Sequence, residues 1–208
     1  MLGELNKWNN VMFKKIFLIA EIGVNHNGDM EMAKQMIVAA KNSGADAVKF
    51  QTFLADRLVS EGTPKVKYQE STTQANESHF EMIQKLELKR EDHFLLKKFS
   101  ENIGLEFLST PYDIDSAKFL NDDLDVSMFK TASADIVDLS LQKYIAETRK
   151  PSIVSVGMAT LGEVEEVVEI YQKFNPKQLS LLHCVSNYPC SDSSLNLNVI
   201  NTLRSAFS

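Results

Sequence analysis

Short apolar runs of strand length recur along this chain and alternate with segments of helical periodicity. Six such runs are nearly continuous in apolar residues, at positions 16–20, 47–50, 105–108, 126–129, 152–156 and 179–182. Continuous apolar strands are typical of a parallel sheet that is covered on both faces. Their starts lie roughly 20 to 30 residues apart, with one longer interval, which predicts repeated βα units around a parallel sheet.

The segments between these runs carry helix signals. One helix is predicted at about residues 30–43, where apolar residues share a face and Gly44 suits the left-handed conformation that follows a helix end. Another begins at Leu161, with Thr160 and Glu163 in capping-box spacing. A third precedes Gly104 and is marked by Phe94, Leu95, Lys98, Phe99 and Ile103. Weaker patterns predict helices at 114–120, 139–147 and 195–207.

Six βα units favour an α/β fold of the TIM (β/α)₈ type that is incomplete. A full barrel needs eight units in about 250 residues, whereas this chain has 208. An open doubly wound sheet could be complete at this length, but EIGVNHNGD does not match the G-x-G-x-x-G turn expected after its first strand. We therefore predict a partial barrel over residues 13–208 and a polar N-terminal extension over residues 1–12.

The longest interval between strands holds a polar insertion at residues 54–78, punctuated by Pro and Gly. A loop over the mouth of an active site has this composition, and so does a plain surface excursion. The sequence leaves both interpretations open.

Composition limits the classes of partner. The formal net charge is −6, and the 22 Lys and Arg residues are scattered, which predicts neither nucleic-acid nor membrane binding. No apolar stretch approaches the ~20 residues of a membrane span, and the N-terminus lacks the apolar segment of a signal peptide, so we expect a cytoplasmic protein. In such a reducing compartment Cys184 and Cys190 are expected to be free thiols.

Each apolar run ends in polar residues that a hydrophobic core would not select. They are Glu21, Lys49, Gln51, Ser109, Thr110, Lys130, Ser133, Ser155, His183, Ser186, Asn187 and Tyr188. Because the C-terminal ends of parallel barrel strands meet at one rim, these side chains would face a single pocket. Taken singly, a lysine there is most often solvated, and Glu21 could simply pair with Lys49. Taken together, they are costly to desolvate without a charged ligand, which favours a binding site.

The charges of these residues indicate the kind of ligand. Lys49 and Lys130 supply positive charge and Ser133 and Ser155 supply hydroxyl donors, a set suited to a small anion with carboxylate and phosphate groups. In such a cationic pocket Glu21 is expected to be ionised at neutral pH, able to accept a proton, orient a substrate hydroxyl or act on a metal-bound water.

A turn rich in amides follows Glu21. Asn25, His26 and Asn27 come just before a helix, where neutral amides could bond a polyhydroxylated ligand. Asn27 and Gly28 also form a turn dipeptide, and Asp29 is placed as the next N-cap, so part of this cluster serves backbone geometry.

Several separated segments resemble the sialic acid (N-acetylneuraminate) synthases and their relatives that make other nine-carbon nonulosonic acids. In that family's order they are IAEIGVNHNGDMEMAKQMIVAAKNSGADAVKFQTF, EFLSTPYD, FKTASADIVDLSLQKYIA, PSIVSVGMATLGEVEEVV and LLHCVSNYP. The resemblance covers about residues 16–207. Because it joins several motifs, it is far more specific than any one of them.

The resemblance implies a transferase that condenses phosphoenolpyruvate with the open-chain aldehyde of an N-acetylmannosamine-type sugar. By similarity, phosphoenolpyruvate is held by Lys49, Lys130, Ser133 and Ser155. Glu21 would be the acid/base or orienting group on the sugar side. The implied sugar-binding residues are Asn25, Gln51, Thr110, Ser186 and Tyr188. For full-length members the family also implies a homodimer.

The family further implies a divalent metal, Mn²⁺ or Mg²⁺. Its two histidine ligands lie in segments resembling S-D-H and H-F-T, after the sixth βα unit, and neither segment occurs in this sequence. We therefore expect no metal ligands within this chain. A C-terminal antifreeze-like domain is likewise not found in it.

Three functions stay open at this stage. The first is the N-terminal part of a nonulosonic acid synthase, with N-acetylneuraminate or legionaminic acid as product. The second is a non-catalytic binding or interaction module. The third is another phosphoenolpyruvate-dependent sugar-acid synthase.

Overall fold

Parallel strands alternate with helices in the computed structural model, which describes residues 16–60, 62–65 and 77–207. The strands are β1 Ile19–Gly23, β2 Ala47–Thr52, β3 Glu106–Pro111, β4 Phe129–Thr131, β5 Ser152–Ser155 and β6 Leu179–Leu182. The α-helices are α1 Met30–Asn42, α2 Ala55–Leu58, α3 His79–Lys85, α4 Arg90–Asn102, α5 Ile114–Lys118, α6 Leu139–Glu147, α7 Leu161–Phe174 and α8 Val199–Phe207. The predicted extension at residues 1–12 lies outside the described residues.

The strands form two three-stranded parallel sheets placed side by side. One has the order β1-β2-β3 and the other β4-β5-β6, and β3 lies next to β4. Strand order therefore follows chain order, and a helix follows each strand. The described part of the chain is an incomplete (β/α)₈-type barrel of six βα units, as predicted.

The strand register decides which side chains share the barrel interior. Glu21 of β1 lies opposite Lys49 of β2, and Gln51 of β2 lies opposite Thr110 of β3. Because alternate residues of a strand face opposite sides, Lys49 and Gln51 point the same way. The residue between them, Phe50, points to the helices and stacks on Phe107, with ring centroids 5.5 Å apart.

Two strands, β1 and β4, begin three residues later in the chain than the apolar runs predict. Ile16 and Leu18 are exposed, and Val126 is buried in the turn before its strand rather than in the strand itself. The prediction was wrong there because it excluded polar residues from strands, whereas the barrel interior accepts them where they are paired. The observed strands are Ile19–Gly23 instead of 16–20, and Phe129–Thr131 instead of 126–129.

Helix starts follow their sequence signals closely. Asp29 caps α1 by accepting hydrogen bonds from the N–H groups of Glu31 and Met32, at 2.8 and 3.1 Å. Thr160 and Glu163 form the predicted capping box of α7. The helix predicted at 195–207 begins only at Val199, and α3 was not predicted. In the described ranges, no helix is long and apolar enough to cross a membrane.

Helix α4 buries only part of the face marked by its apolar residues: Phe99 and Ile103 are partly buried against the core. Phe94 and Leu95 are 46% and 56% exposed, whereas His93, Leu96 and Ser100 are buried. The two polar residues can enter the core because their side chains are hydrogen-bonded: His93 Nε2 lies 2.9 Å from Thr52 Oγ1, and Ser100 donates to the carbonyl oxygen of Leu96 at 2.9 Å.

The insertion at 54–78 is described only in part, since residues 61 and 66–76 lie outside the described ranges. Its first residues form the short helix α2, and the N–H group of Ala55 donates to Glu87 Oε2 at 2.8 Å. The start of the insertion is therefore tied to the segment before α4. Arg57 lies 2.5 Å from Asp115 of α5 and links α2 to the next βα unit.

Candidate active site

Lys49 lies at the centre of one half of the candidate site. Its side chain points into the barrel and is almost fully buried, with 4% of the residue exposed. The ammonium group lies 3.0 Å from a carboxylate oxygen of Glu21 and donates to Thr110 Oγ1 at 2.6 Å. Three neighbouring strands, β1, β2 and β3, thus each contribute one side chain to this ion-pair and hydrogen-bond cluster.

Lys130 occupies the matching position in the other half. It is 7% exposed, and its ammonium group donates to Ser155 Oγ at 2.6 Å. Lys130 is on β4 and Ser155 is the last residue of β5. The arrangement repeats that of Lys49 and Thr110, a buried lysine bonded to a hydroxyl on the next strand.

The two halves form one electrostatic unit. Burial lowers the pKa of Lys49, the Glu21 carboxylate opposes that effect, and Lys130 adds to the lowering. Burial likewise lowers the pKa of Lys130, against the effect of Glu21. One carboxylate therefore acts on both lysines. Such a cluster of two lysines is suited to an anion, whose charge would offset the cost of burying them.

Ser133 joins the loops that follow β4, β5 and β6. It begins a 3₁₀ turn, Ser133–Val137, directly after β4. Its hydroxyl oxygen accepts a hydrogen bond from the N–H group of Gly157 at 3.1 Å and lies 2.8 Å from Cys184 Sγ. Cys184 also acts electrostatically on Lys130, so this contact belongs to the Lys130 half of the site.

The other predicted site residues are not part of the two lysine clusters. Gln51 lies on the inner side of β2 beside Gly23, in a register that pairs it with Thr110. Asn25, Ser186 and Tyr188 are exposed, in the loops after β1 and β6. Their roles toward a ligand stay predictions.

The amide-rich turn after β1 serves its own backbone. Asn27 and Gly28 both have positive φ, 51° and 76°, which is the turn conformation predicted for this pair. His26 is buried and its Nδ1 accepts a hydrogen bond from the N–H group of Gly28 at 3.0 Å. The imidazole therefore holds the turn rather than facing solvent.

Two groups near the site were missed at the sequence level. Cys184 was interpreted only as a free thiol, although it follows β6 by two residues and so obeys the strand-end rule that found the others. Asp135 lies in the 3₁₀ turn of Ser133, and burial, with a smaller effect of Asp138, raises the pKa of its carboxyl group to about 6. Both could have been found by including the loops after β4 and β6.

Comparison with known proteins decides the family. The family model described as the NeuB family matches residues 36–208. The N,N'-diacetyllegionaminic acid synthases of Legionella pneumophila and Campylobacter jejuni are each 43% identical to this chain, over 92% and 93% of it. The chain belongs to the NeuB family.

A solved NeuB-type structure agrees with the fold. The crystal structure of N-acetylneuraminic acid synthetase from Leptospira borgpetersenii, in complex with citrate, superposes with a TM-score of 0.79 at 32% identity. It matches 91% of this chain and 61% of that one. The chain spans 54% and 58% of the length of the two legionaminic acid synthases. The comparison therefore covers the barrel units described above and about half of each curated relative.

The metal implied for the NeuB family finds no ligand set in the described part of the chain. Within residues 16–60, 62–65 and 77–207, no three His, Cys, Asp or Glu side chains are grouped as a metal would require. The Glu21 carboxylate, the acidic group at the centre of the site, is already paired with Lys49. These residues do not fit a metal ion on their own.

Proposed function

We propose that this chain carries the phosphoenolpyruvate-binding part of a nonulosonic acid synthase, which condenses phosphoenolpyruvate with an N-acetylmannosamine-type sugar. The observation that supports it most directly is the pair of buried lysines, Lys49 ion-paired with Glu21 at 3.0 Å and Lys130 bonded to Ser155 at 2.6 Å. Its NeuB relatives include legionaminic acid synthases. The homodimer implied by the resemblance stays a prediction.

Phosphoenolpyruvate suits the pocket by charge and shape. It is a three-carbon molecule with a carboxylate at one end and a phosphate nearby, so two separated ammonium groups can each face an anionic group. We assign Lys49 and Lys130 to these two groups. Ser155 and Thr110 hold the lysines in place at 2.6 Å, and Ser133 adds a hydroxyl on the Lys130 side. Preorganised donors of this kind stabilise bound charge without reorganisation.

Glu21 is assigned to the reacting sugar. In the proposed reaction C3 of phosphoenolpyruvate bonds to the aldehyde carbon, whose oxygen takes up a proton and becomes a hydroxyl group. A water oxygen adds at C2 and becomes the keto oxygen as the bond from C2 to the phosphate oxygen breaks. The two protons of that water balance the new hydroxyl group and the inorganic phosphate that leaves. The carboxylate of Glu21 is half-exposed, so it can reach both the pocket and an incoming sugar, where it would orient a hydroxyl or transfer the proton.

The remaining assignments follow the resemblance. Asn25, Gln51, Ser186 and Tyr188 are proposed to contact the sugar. For Thr110 the geometry favours a different role: its hydroxyl accepts from Lys49, so we place it beside phosphoenolpyruvate as a partner of that lysine. The identity of 43% with two N,N'-diacetyllegionaminic acid synthases favours a 2,4-diacetamido-trideoxy sugar as acceptor.

Two measurements test this proposal. Calorimetric titration of phosphoenolpyruvate into the purified chain should show binding, and Lys49→Met should weaken it at least tenfold, since it removes a charged donor. Lys143→Met changes an exposed lysine in α6 and should bind as the wild type does.

Phosphate release then distinguishes the sugars. It is measured with Mn²⁺ and phosphoenolpyruvate and with N-acetylmannosamine, its 2,4-diacetamido-trideoxy relative or arabinose 5-phosphate. Binding with release only on arabinose 5-phosphate would point to a different sugar-acid synthase. Binding without release on any sugar would agree with a chain that supplies only the phosphoenolpyruvate-binding part, and no binding at all would refute the proposal.

A further inference from the structure

The hydroxyl group of Ser133 has two polar neighbours but only one proton to donate. Its oxygen lies 3.1 Å from the N–H group of Gly157 and 2.8 Å from Cys184 Sγ. A serine hydroxyl carries one proton and two acceptor lone pairs. The N–H group of Gly157 can only donate, so it occupies one lone pair. The direction of the remaining contact, between oxygen and sulfur, decides where the serine proton points.

Two directions are possible for that contact. If Ser133 donates to the sulfur, its single proton is used inside the protein and none is left for a ligand. If the thiol of Cys184 donates to the oxygen, both lone pairs are filled and the proton must point elsewhere. A thiol is a weak donor but a donor nonetheless. An anion in the pocket selects the second arrangement, because it gains a hydrogen bond from a hydroxyl group.

Packing holds Cys184 in the position that this arrangement needs. Gly157 lies directly against it: a Cβ atom added at Gly157 would overlap the carbonyl oxygen of Cys184 and lie 2.8 Å from its sulfur. The loops after β5 and β6 are thus pressed together at this point. The Cys184 sulfur therefore lies in the contact between these two loops, 2.8 Å from Ser133 Oγ.

We propose that Cys184 is a positioning residue of the anion pocket: its thiol donates to Ser133 Oγ and so directs the Ser133 proton to an oxygen of the bound anion. This rests on the proposed function, in which that anion is phosphoenolpyruvate. Cys184 itself need not touch the ligand. Its effect on affinity passes through Ser133, and a group that can donate in its place should preserve that effect.

The test is calorimetric titration of phosphoenolpyruvate into the full chain and three single variants. Serine and alanine differ by one hydroxyl group, so Cys184→Ser and Cys184→Ala isolate the donor. The alanine variant should bind roughly fivefold more weakly, the effect of one net hydrogen bond, and the serine variant should stay close to wild type. Cys190→Ala, the control at the other free cysteine, should bind as wild type.

A double-mutant cycle supplies the readout that a merely structural role would not produce. In a Ser133→Ala background, Cys184→Ala should cause no further loss, because the group through which it acts is gone. A further fivefold loss there would overturn the proposal, as would equal affinity of the wild type and Cys184→Ala. If Cys184→Ala does not fold, Cys184→Thr and Cys184→Val form an equivalent matched pair.

Failure of the proposed function and failure of the proposed role of Cys184 give different results in these titrations. If the wild type binds phosphoenolpyruvate and the cysteine variants bind equally well, the role of Cys184 is wrong while the proposed function stands. If the wild type does not bind phosphoenolpyruvate, the proposed function fails and the role of Cys184 fails with it.

Discussion

Replacing Lys130 by methionine should move ligand affinity and protein stability in opposite directions. The side chain is 7% exposed, and burial is the largest cause of its lowered pKa. The folded protein therefore holds this ammonium group at a cost that a ligand would offset. Methionine fills a similar volume without a charge. We expect Lys130→Met to bind phosphoenolpyruvate more weakly and to melt at a higher temperature.

The loss of affinity can be scaled from the geometry. A hydrogen bond to a charged group contributes about 1.5 to 3 kcal/mol, which corresponds to a loss of roughly 10- to 150-fold in affinity. The gain in stability is smaller, because Ser155 loses the partner that it has at 2.6 Å. If about 1 kcal/mol remains, the melting temperature of a chain of this size rises by about 2 to 4 °C.

The pH dependence of the stability gain has a definite sign. The pKa of Lys130 is lowered in the folded state, so the folded protein releases this proton at a lower pH than the unfolded chain does. The cost of the ammonium group is then fully present below the folded pKa, and it disappears as the pH rises from the folded pKa towards the ordinary lysine value. The difference in melting temperature between Lys130→Met and wild type should therefore shrink in alkaline buffer.

The assays are calorimetry for affinity and calorimetric melting for stability, each at neutral and alkaline pH. Lys143→Met, at an exposed lysine that lies 3.9 Å from Glu147, is the matched control and should change neither quantity. Two outcomes would refute this reasoning: Lys130→Met binding phosphoenolpyruvate as tightly as the wild type, or melting more than a few degrees below it. Either would show that Lys130 does not support ligand binding at the expense of stability.

Three further predictions concern the core and the loops around the site. Leu96→Ala should lower the free energy of unfolding by about 2 to 5 kcal/mol. Leu95→Ala changes the neighbouring position, which is 56% exposed, and should alter the free energy of unfolding by under ~0.5 kcal/mol. Equal effects in denaturant titrations would contradict the observed face of α4. Asp135→Asn should be more stable than wild type above pH 6 and similar to it near pH 4. The reason is the raised pKa of about 6, because of which the folded protein loses stability as this carboxyl group ionises. A melting-temperature difference that does not vary with pH would rule this out. Gly157→Ala should cost about 1 to 3 kcal/mol through overlap with the carbonyl oxygen of Cys184, and a melting temperature equal to wild type would show that the two loops are free to separate.

Much of the fold could be predicted because its signals are local. The caps at Asp29 and Thr160 act within three residues, and continuous apolar runs located all six strands to within a few residues. The displaced ends of β1 and β4 show where the local rule fails. Polar residues such as Glu21 and Lys130 belong to strands here, because Lys130 is hydrogen-bonded where it is buried and Glu21 is half-exposed.

The sequence by itself determined which kinds of residue stand at the strand ends, and these residues predict a cationic pocket. Tertiary structure alone decided the pairs: Lys49 with Thr110, 61 residues away, and Lys130 with Ser155, 25 residues away. It also placed the Cys184 thiol on Ser133, 51 residues earlier in the chain. Such pairs depend on strand register and on which loops touch, and a shift of one residue would turn every side chain of a strand to its other face.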